Sequence, residues 1–176
     1  VLDEQAEIGM ATESLADYPD LVTLPCYEWE HVLVVPPSHP LATKERIGLD
    51  DLAIEPLITY HPSFTGRNKI DAAFAARQLH PRVVLEAIDS DVIKTYVRLG
   101  LGVGIVAEMA MREDPGVDLI ARPLGHLFGQ SVARVAFKRG AYLRNFVYKF
   151  AETLSDRLSR DLIIRAMQGE PSDYSL

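Results

Sequence analysis

Between Leu57 and Ala107, strand-like and helix-like segments take turns, and no other feature limits so strongly what this chain can fold into. Leu57-Ile58-Thr59-Tyr60 is a short apolar run behind Pro56, the pattern of a buried strand. A helix is predicted over Asn68–Leu79, where Ile70, Ala73 and Phe74 fall at i, i+3 and i+4. Pro81 closes that segment, and Arg82–Ala87 reads as the next strand. Asp89-Ser90-Asp91 supplies N-cap residues for a helix through Leu99, with Ile93, Tyr96 and Val97 on one face. Gly100 suits the left-handed residue that ends such a helix, and Val103–Ala107 reads as a strand. This order at this spacing predicts βαβ units, a mostly parallel sheet and the α/β class.

The flanks are less regular. Glu7–Ala11 reads as a strand. Leu21–Tyr27 and His31–Pro36 read as two strand-like runs broken by Trp29 and two acids, the second ended by the turn cluster Pro36–Pro40. Leu49–Ala53 is a helical turn. Strands near Val117–Ala121 and at Ser131–Lys138 precede a long helix whose stripe is Leu143, Phe146, Val147, Phe150 and Leu154. A helix over Arg160–Gln168 and a frayed polar tail, Gly169–Leu176, complete the reading. The chain opens on Val1 and enters a strand almost at once, which reads as a cut end inside a longer protein.

Composition excludes several functions. A length of 176 residues fits one medium domain or two small lobes. Lys and Arg number 18 against 25 Asp and Glu, so the net charge is −7, a poor basis for gripping a phosphate backbone. One cysteine, Cys26, can form neither an internal disulfide nor a zinc cage, which makes the cytoplasm the default compartment. No apolar run approaches the ~18 residues of a spanning helix, and no basic-then-apolar signal opens the chain.

The most informative local feature is Ser63-Phe64-Thr65-Gly66-Arg67, read as a loop between a strand and a helix. Ligands of open α/β sheets lie outside the carboxyl ends of strands, and a helix N-terminus presents N–H groups and a positive dipole end to an anion. Thr65 adds a hydroxyl, Gly66 lets backbone approach closely, and Arg67 adds a fixed charge. Against this stands ordinary capping, with Thr65 as helix cap and Arg67 in solvent. Thr12, ending the first strand, has the same two readings. Cys26 with His31 lacks any group to orient the imidazole, so a buried structural thiol is favoured. The five histidines are scattered without ligand spacing. Gly100-Leu101-Gly102-Val103-Gly104 follows a helix and opens a strand, the reverse of a dinucleotide fingerprint. Asp89 and Asp91 already have work as caps, and Trp29 is more often core than ligand platform.

Ala11-Thr12-Glu13, Leu24-Pro25-Cys26-Tyr27, Phe64-Thr65-Gly66-Arg67 and above all Asp91–Gly104 resemble the effector-binding domain of LysR-type transcriptional regulators, in particular the CysB and Cbl subgroup of sulfur assimilation. The resemblance runs from about residue 7 to about residue 165. It implies two Rossmann-like lobes arranged as in a type 2 periplasmic binding protein, with the effector in a cleft between them. The first lobe would be residues 1–26 and 128–176, lacking its N-terminal strand and helix, and the second residues 27–127. The family's anion-contacting threonines match Thr12 and Thr65, beside Gly66 and Arg67, and its crossover tryptophan matches Trp29. Implied effectors are sulfate, thiosulfate, acetylserine or adenylyl sulfate. Promoter DNA would be bound through an N-terminal helix-turn-helix outside this chain.

The resemblance therefore implies a sensor domain of a regulator of sulfur assimilation and cysteine biosynthesis, not an enzyme, with no cofactor and no membrane partner. The alternative is a solute-binding protein for sulfate or a related oxyanion. A homo-oligomer, dimer or tetramer, is expected, with Ile70, Phe74 or the Val92–Val97 helix supplying the apolar surface.

Overall fold

The computed structural model describes residues 1–12, 18–112 and 118–170. The chain order is β1 (Gly9–Thr12), β2 (Leu21–Val35), α1 (Pro40–Thr43), α2 (Leu49–Ala53), β3 (Pro56–Tyr60), α3 (Thr65–Ala76), β4 (Arg82–Ala87), α4 (Ser90–Arg98) and β5 (Val103–Ala107). A 3-10 turn (Glu108–Met111) follows, then β6 (Ile120–Pro123), α5 (Gly125–Phe128), β7 (Gln130–Lys138), α6 (Asn145–Leu154) and α7 (Arg160–Met167). Contacts divide the chain into two units, Val1–Glu28 with Ser131–Leu176, and Trp29–Gln130. The breaks expected after residues 26 and 127 fall inside β2 and α5.

The first unit orders its strands β1-β7-β2. β1 runs antiparallel to β7, from Gly9 opposite Ala136 to Thr12 opposite Ala133. Its core gathers Val22, Leu24 and Cys26 from β2, Val135 and Phe137 from β7, and Val147, Ala151 and Ile163 from α6 and α7. The stripe of α6 differs from the expected one. Leu143, Val147 and Ala151 are buried at 5%, 1% and 0% exposure, whereas Phe146 and Phe150 stand 55% and 52% exposed. Both stripes satisfy i, i+4 spacing; the small Ala151 fits under the sheet, and Phe146 instead stacks beneath the Arg144 guanidinium, 4.6 Å from the ring centroid.

The second unit orders its strands β6-β2-β5-β3-β4. β3 runs parallel to β4 and to β5, as the alternating pattern predicts. β2 is antiparallel to β5 and β6, so the sheet is mixed rather than mostly parallel. Side chains of adjacent positions point to opposite faces. Leu33, Val35, Leu57, Val103 and Ile105 meet α2, α3 and α5 through Leu52, Ile70, Phe74 and Phe128. Val32, Val34, Ile58 and Val106 meet α4 through Ile93 and Val97 on the other face. Covering both faces explains why these strands read as continuous apolar runs.

Several boundaries depart from the sequence reading. The two early runs form one strand, β2, because Glu28 and Glu30 share the face away from buried Trp29 and His31 and leave the alternation intact. α3 starts at Thr65, so Thr65-Gly66-Arg67 is its first turn and not a loop. β6 starts at Ile120; Val117, the expected start, and Glu13, within the matched Ala11–Glu13 motif, lie outside the described residues, as do 171–176 of the tail. α2, β4 and β5 coincide with the expected ranges.

Ile70 and Phe74 are 2% and 1% exposed, so they belong to the core and offer no docking surface. α4 does carry one: Val92, Tyr96 and Leu99, at i, i+4 and i+7, are 41%, 38% and 73% exposed. Among the described residues no helix is long and apolar enough to cross a membrane.

Candidate functional site

The parallel strands β3, β4 and β5 end on one side of the second unit, and one tyrosine ties those ends together. The Tyr60 hydroxyl lies 2.7 Å from Ser90 Oγ at the start of α4 and accepts from Ala107 N–H at 3.1 Å at the end of β5. His61 N–H donates to Ala87 O, closing β3 onto β4. From this edge the chain turns through His61–Phe64, with Phe64 N–H donating to His61 O, and enters α3.

Phe64 occupies the N-cap of α3 with extended backbone and no side-chain cap. Thr65 stands one position further in, at the first helical residue, and is exposed. The capping role open to it from the sequence is therefore not the one its position gives it. Arg67 N–H is already bonded to Phe64 O at 3.0 Å. Thr65 and Gly66 are the first two residues of the helix, at the positive end of its dipole.

Gly66 packs where no side chain fits comfortably. A Cβ there would stand 3.0 Å from His31 Nε2 and 3.1 Å from Trp29 Cη2. The indole and imidazole are neighbours on one face of β2, edge to face with centroids 5.0 Å apart. Phe128 closes on the imidazole from α5 at 5.7 Å. His31 is fully buried, and neither ring nitrogen has a hydrogen-bond partner. Burial first, and the nearby Lys69 ammonium second, press its pKa down to about 4.

The Arg67 side chain turns inward and is 7% exposed as a residue. Nε donates to Asp71 Oδ1, and Nη1 donates both to Glu86 Oε1 and to Tyr60 O, each at 2.8 Å. It thereby clamps β3, β4 and α3 around the first turn. A solvent-facing arginine, one of the two sequence readings, is not what the fold builds.

Among the expected site residues, Trp29, Thr65, Gly66 and Arg67 come together in the second unit. Thr12 ends β1 in the first unit. The residue that sequence reasoning leaves out of the site is His31, considered only as a partner for Cys26 and as a metal ligand. Strand alternation was the available signal, because positions 29 and 31 of one strand share a face. Cys26 lies in the core of the other unit, 2% exposed, with its thiol pKa pushed up by burial. A hollow of about 740 Å³ lies at the ends of β4 and β5, lined by Asp89, Ser90, Asp91 and Lys94. The Lys94 ammonium there is held by Asp91 Oδ1 at 2.8 Å and Ala110 O at 3.0 Å. Among the described residues no three His, Cys, Asp or Glu side chains gather as a metal set would.

The family model of the LysR substrate binding domain matches residues 1–159. The chain is 55% identical over 178 aligned positions to the HTH-type transcriptional regulator CysB of Burkholderia cenocepacia, spanning 100% of this chain and 56% of that protein. It is 43% identical to the HTH-type transcriptional regulator Cbl of Escherichia coli K12, over 98% of this chain and 55% of that one. The chain thus spans about half the length of these relatives. Its fold superposes on the crystal structure of the Cbl cofactor-binding domain with a TM-score of 0.85, covering 95% of this chain and 74% of that domain.

Proposed function

The chain belongs to the LysR substrate-binding-domain family, and from that premise we propose that it is the effector-sensing domain of a regulator of sulfur assimilation, taking a small oxyanion or acetylserine at the first turn of α3. The observation that carries this reading is Gly66 set against Trp29 and His31, at the N-terminus of a 12-residue helix whose first residue offers a hydroxyl. An oxyanion there would accept from Thr65 Oγ1 and from N–H groups at the positive end of the helix dipole. Arg67 holds the turn in place through Glu86 and Asp71, which balance its charge. Sulfate, thiosulfate, acetylserine and the sulfate end of adenylyl sulfate share the chemistry such a turn recognises.

Promoter binding belongs, in this proposal, to a helix-turn-helix outside the chain, consistent with a net charge of −7 here. A sensor of that kind works in the cytoplasm, beside the DNA. It pairs with a second copy through the exposed stripe of α4. A solute carrier for sulfate would share the architecture, but similarity to two transcription regulators favours the sensor.

Calorimetric titration of sulfate, thiosulfate and acetylserine into the chain tests the proposal. Charge-assisted hydrogen bonds contribute roughly 1.5–3 kcal/mol each, so Thr65→Ala should weaken binding about tenfold or more with little change in the denaturant midpoint. Unchanged affinity for all three ligands in Thr65→Ala would remove the site.

A further inference from the structure

Buried polar atoms in folded proteins nearly always have partners, and an orphan asks for a reason. The His31 ring offers one donor and one acceptor when neutral, and both are orphaned at full burial. Trp29 and Phe128 pack its faces and edges without offering an acceptor. On the remaining side stands the Gly66 backbone, with room between Nε2 and a Gly66 Cβ of only 3.0 Å. Glycine backbone alone therefore separates the imidazole from the helix end at which the anion is proposed.

We propose that His31 is the proton-carrying residue of the anion site: an oxyanion held at the first turn of α3 is bound together with a proton on this imidazole. The inference rests on the anion reading of that turn.

The charges around the ring favour this pairing only when an anion is present. From α3 comes Lys69, a positive group that opposes an imidazolium; its ammonium donates to Gln130 O at 2.6 Å. On β2 itself Glu30 is the next residue, on the opposite face, with its carboxylate against Gly125. From α5, His126 Nε2 is turned to Ile47 O at 2.8 Å. Across the sheet on β5 stands Ala107, and Glu108 beyond it pairs with Arg112. None of these supplies a negative charge to the ring. Unliganded, the imidazole is accordingly neutral, with a pKa of about 4. A bound dianion supplies the missing charge and raises the proton affinity of the ring.

Linkage fixes the sign. If binding raises the pKa of His31, the liganded state holds more proton, and affinity must increase as pH falls. Sulfate is the probe, because its own charge is constant over the range. Between pH 7.5 and 5.5 its affinity for the chain should rise by about fivefold or more, with net proton uptake seen by calorimetry in two buffers of different ionisation enthalpy. His31→Gln should bind sulfate with pH-independent affinity. His61→Gln, which removes the exposed imidazole of the preceding loop, should keep the dependence. On the wild-type chain, the histidine ring with the lowest NMR titration midpoint should move up toward neutrality when sulfate is saturating, a measurement needing no variant to fold. Sulfate binding that is weakened by Thr65→Ala but flat with pH, or coupling lost in His61→Gln instead, overturns the proton role and leaves the anion site standing. Absence of sulfate binding, or binding indifferent to Thr65→Ala, overturns both.

Discussion

Arg67 Nη1 donates to Glu86 Oε1 at 2.8 Å, and this one contact joins the first turn of α3 to β4, the edge strand of its unit's sheet. The guanidinium is shielded at 9% side-chain exposure, while Glu86 and Asp71 are 37% and 47% exposed. Removing one partner of a buried pair costs about 3–5 kcal/mol, and the exposure of both carboxylates lowers that expectation. Arg67→Ala should therefore cost about 2–3 kcal/mol in a urea melt. Arg67→Lys keeps the charge, loses the fork, and should recover only part of the loss. A melt unchanged from wild type would show that the clamp contributes nothing.

A second expectation concerns acid. His31 has a folded pKa of about 4 against an ordinary 6.5, so the unfolded chain binds the proton more readily. Stability is then fully present above pH 6.5 and is lost as pH falls toward 4. Between pH 7 and pH 5 this residue should remove about 2 kcal/mol of stability. The measurement is a urea melt at each pH, compared with His31→Phe, whose melt should lose less over the same interval. Equal losses in the two proteins would rule the effect out.

The glycines of Gly100-Leu101-Gly102-Val103-Gly104 should rank by what an added methyl meets. At Gly102 a Cβ would fall 2.2 Å from the Pro56 carbonyl oxygen, a backbone atom that cannot yield. At Gly104 it would meet Val97 Cγ2 at 2.9 Å and Ile93 Cγ2 at 3.0 Å. At Gly100 the space is open but φ is +76°, which costs a side chain roughly 1–2 kcal/mol. Alanine substitution should thus be worst at 102, with loss of about 3 kcal/mol or more, then 104, then 100. Thermal melts of the three variants test the order, and a Gly102→Ala protein as stable as wild type would refute it.

The stripe of α4 predicts self-association. Tyr96→Glu places a charge among Val92, Tyr96 and Leu99 and should shift sedimentation toward monomer while leaving the melt within about 0.5 kcal/mol, because these side chains are already partly solvated. Phe74→Glu would instead unfold the unit from inside, since Phe74 is 1% exposed. An unaltered oligomer in Tyr96→Glu would place the interface elsewhere.

Much of the second unit was legible because its strands and helices each follow one period. The caps agree too: Asp89 accepts from Asp91 N–H, and Gly100 takes the left-handed conformation. What escaped was decided by neighbours distant in sequence. In α6 Ala151 is buried and Phe150 is half exposed, a choice between two stripes that no helical pattern makes. The start of α3 is hidden because Thr-Gly-Arg is a turn by composition, while in the fold Arg67 ties that turn to β3, β4 and the helix itself. At the proposed site, residue types mark Thr65 and Gly66. His31 stayed unmarked because burial without a partner is a property of the folded surroundings and not of the strand that carries it.

Cys26 and Trp29 stand within a few positions on β2, yet they fall in different units. They are also the chain's single thiol and single indole. A thiol reagent can reach Cys26 only when the packing of the first unit opens, whereas indole emission follows the surroundings of Trp29 in the second. Labelling rate and fluorescence, recorded side by side along a denaturant series, therefore form a built-in two-channel readout: they separate if the halves melt at different points, and coincide if the shared strand forces them to melt together.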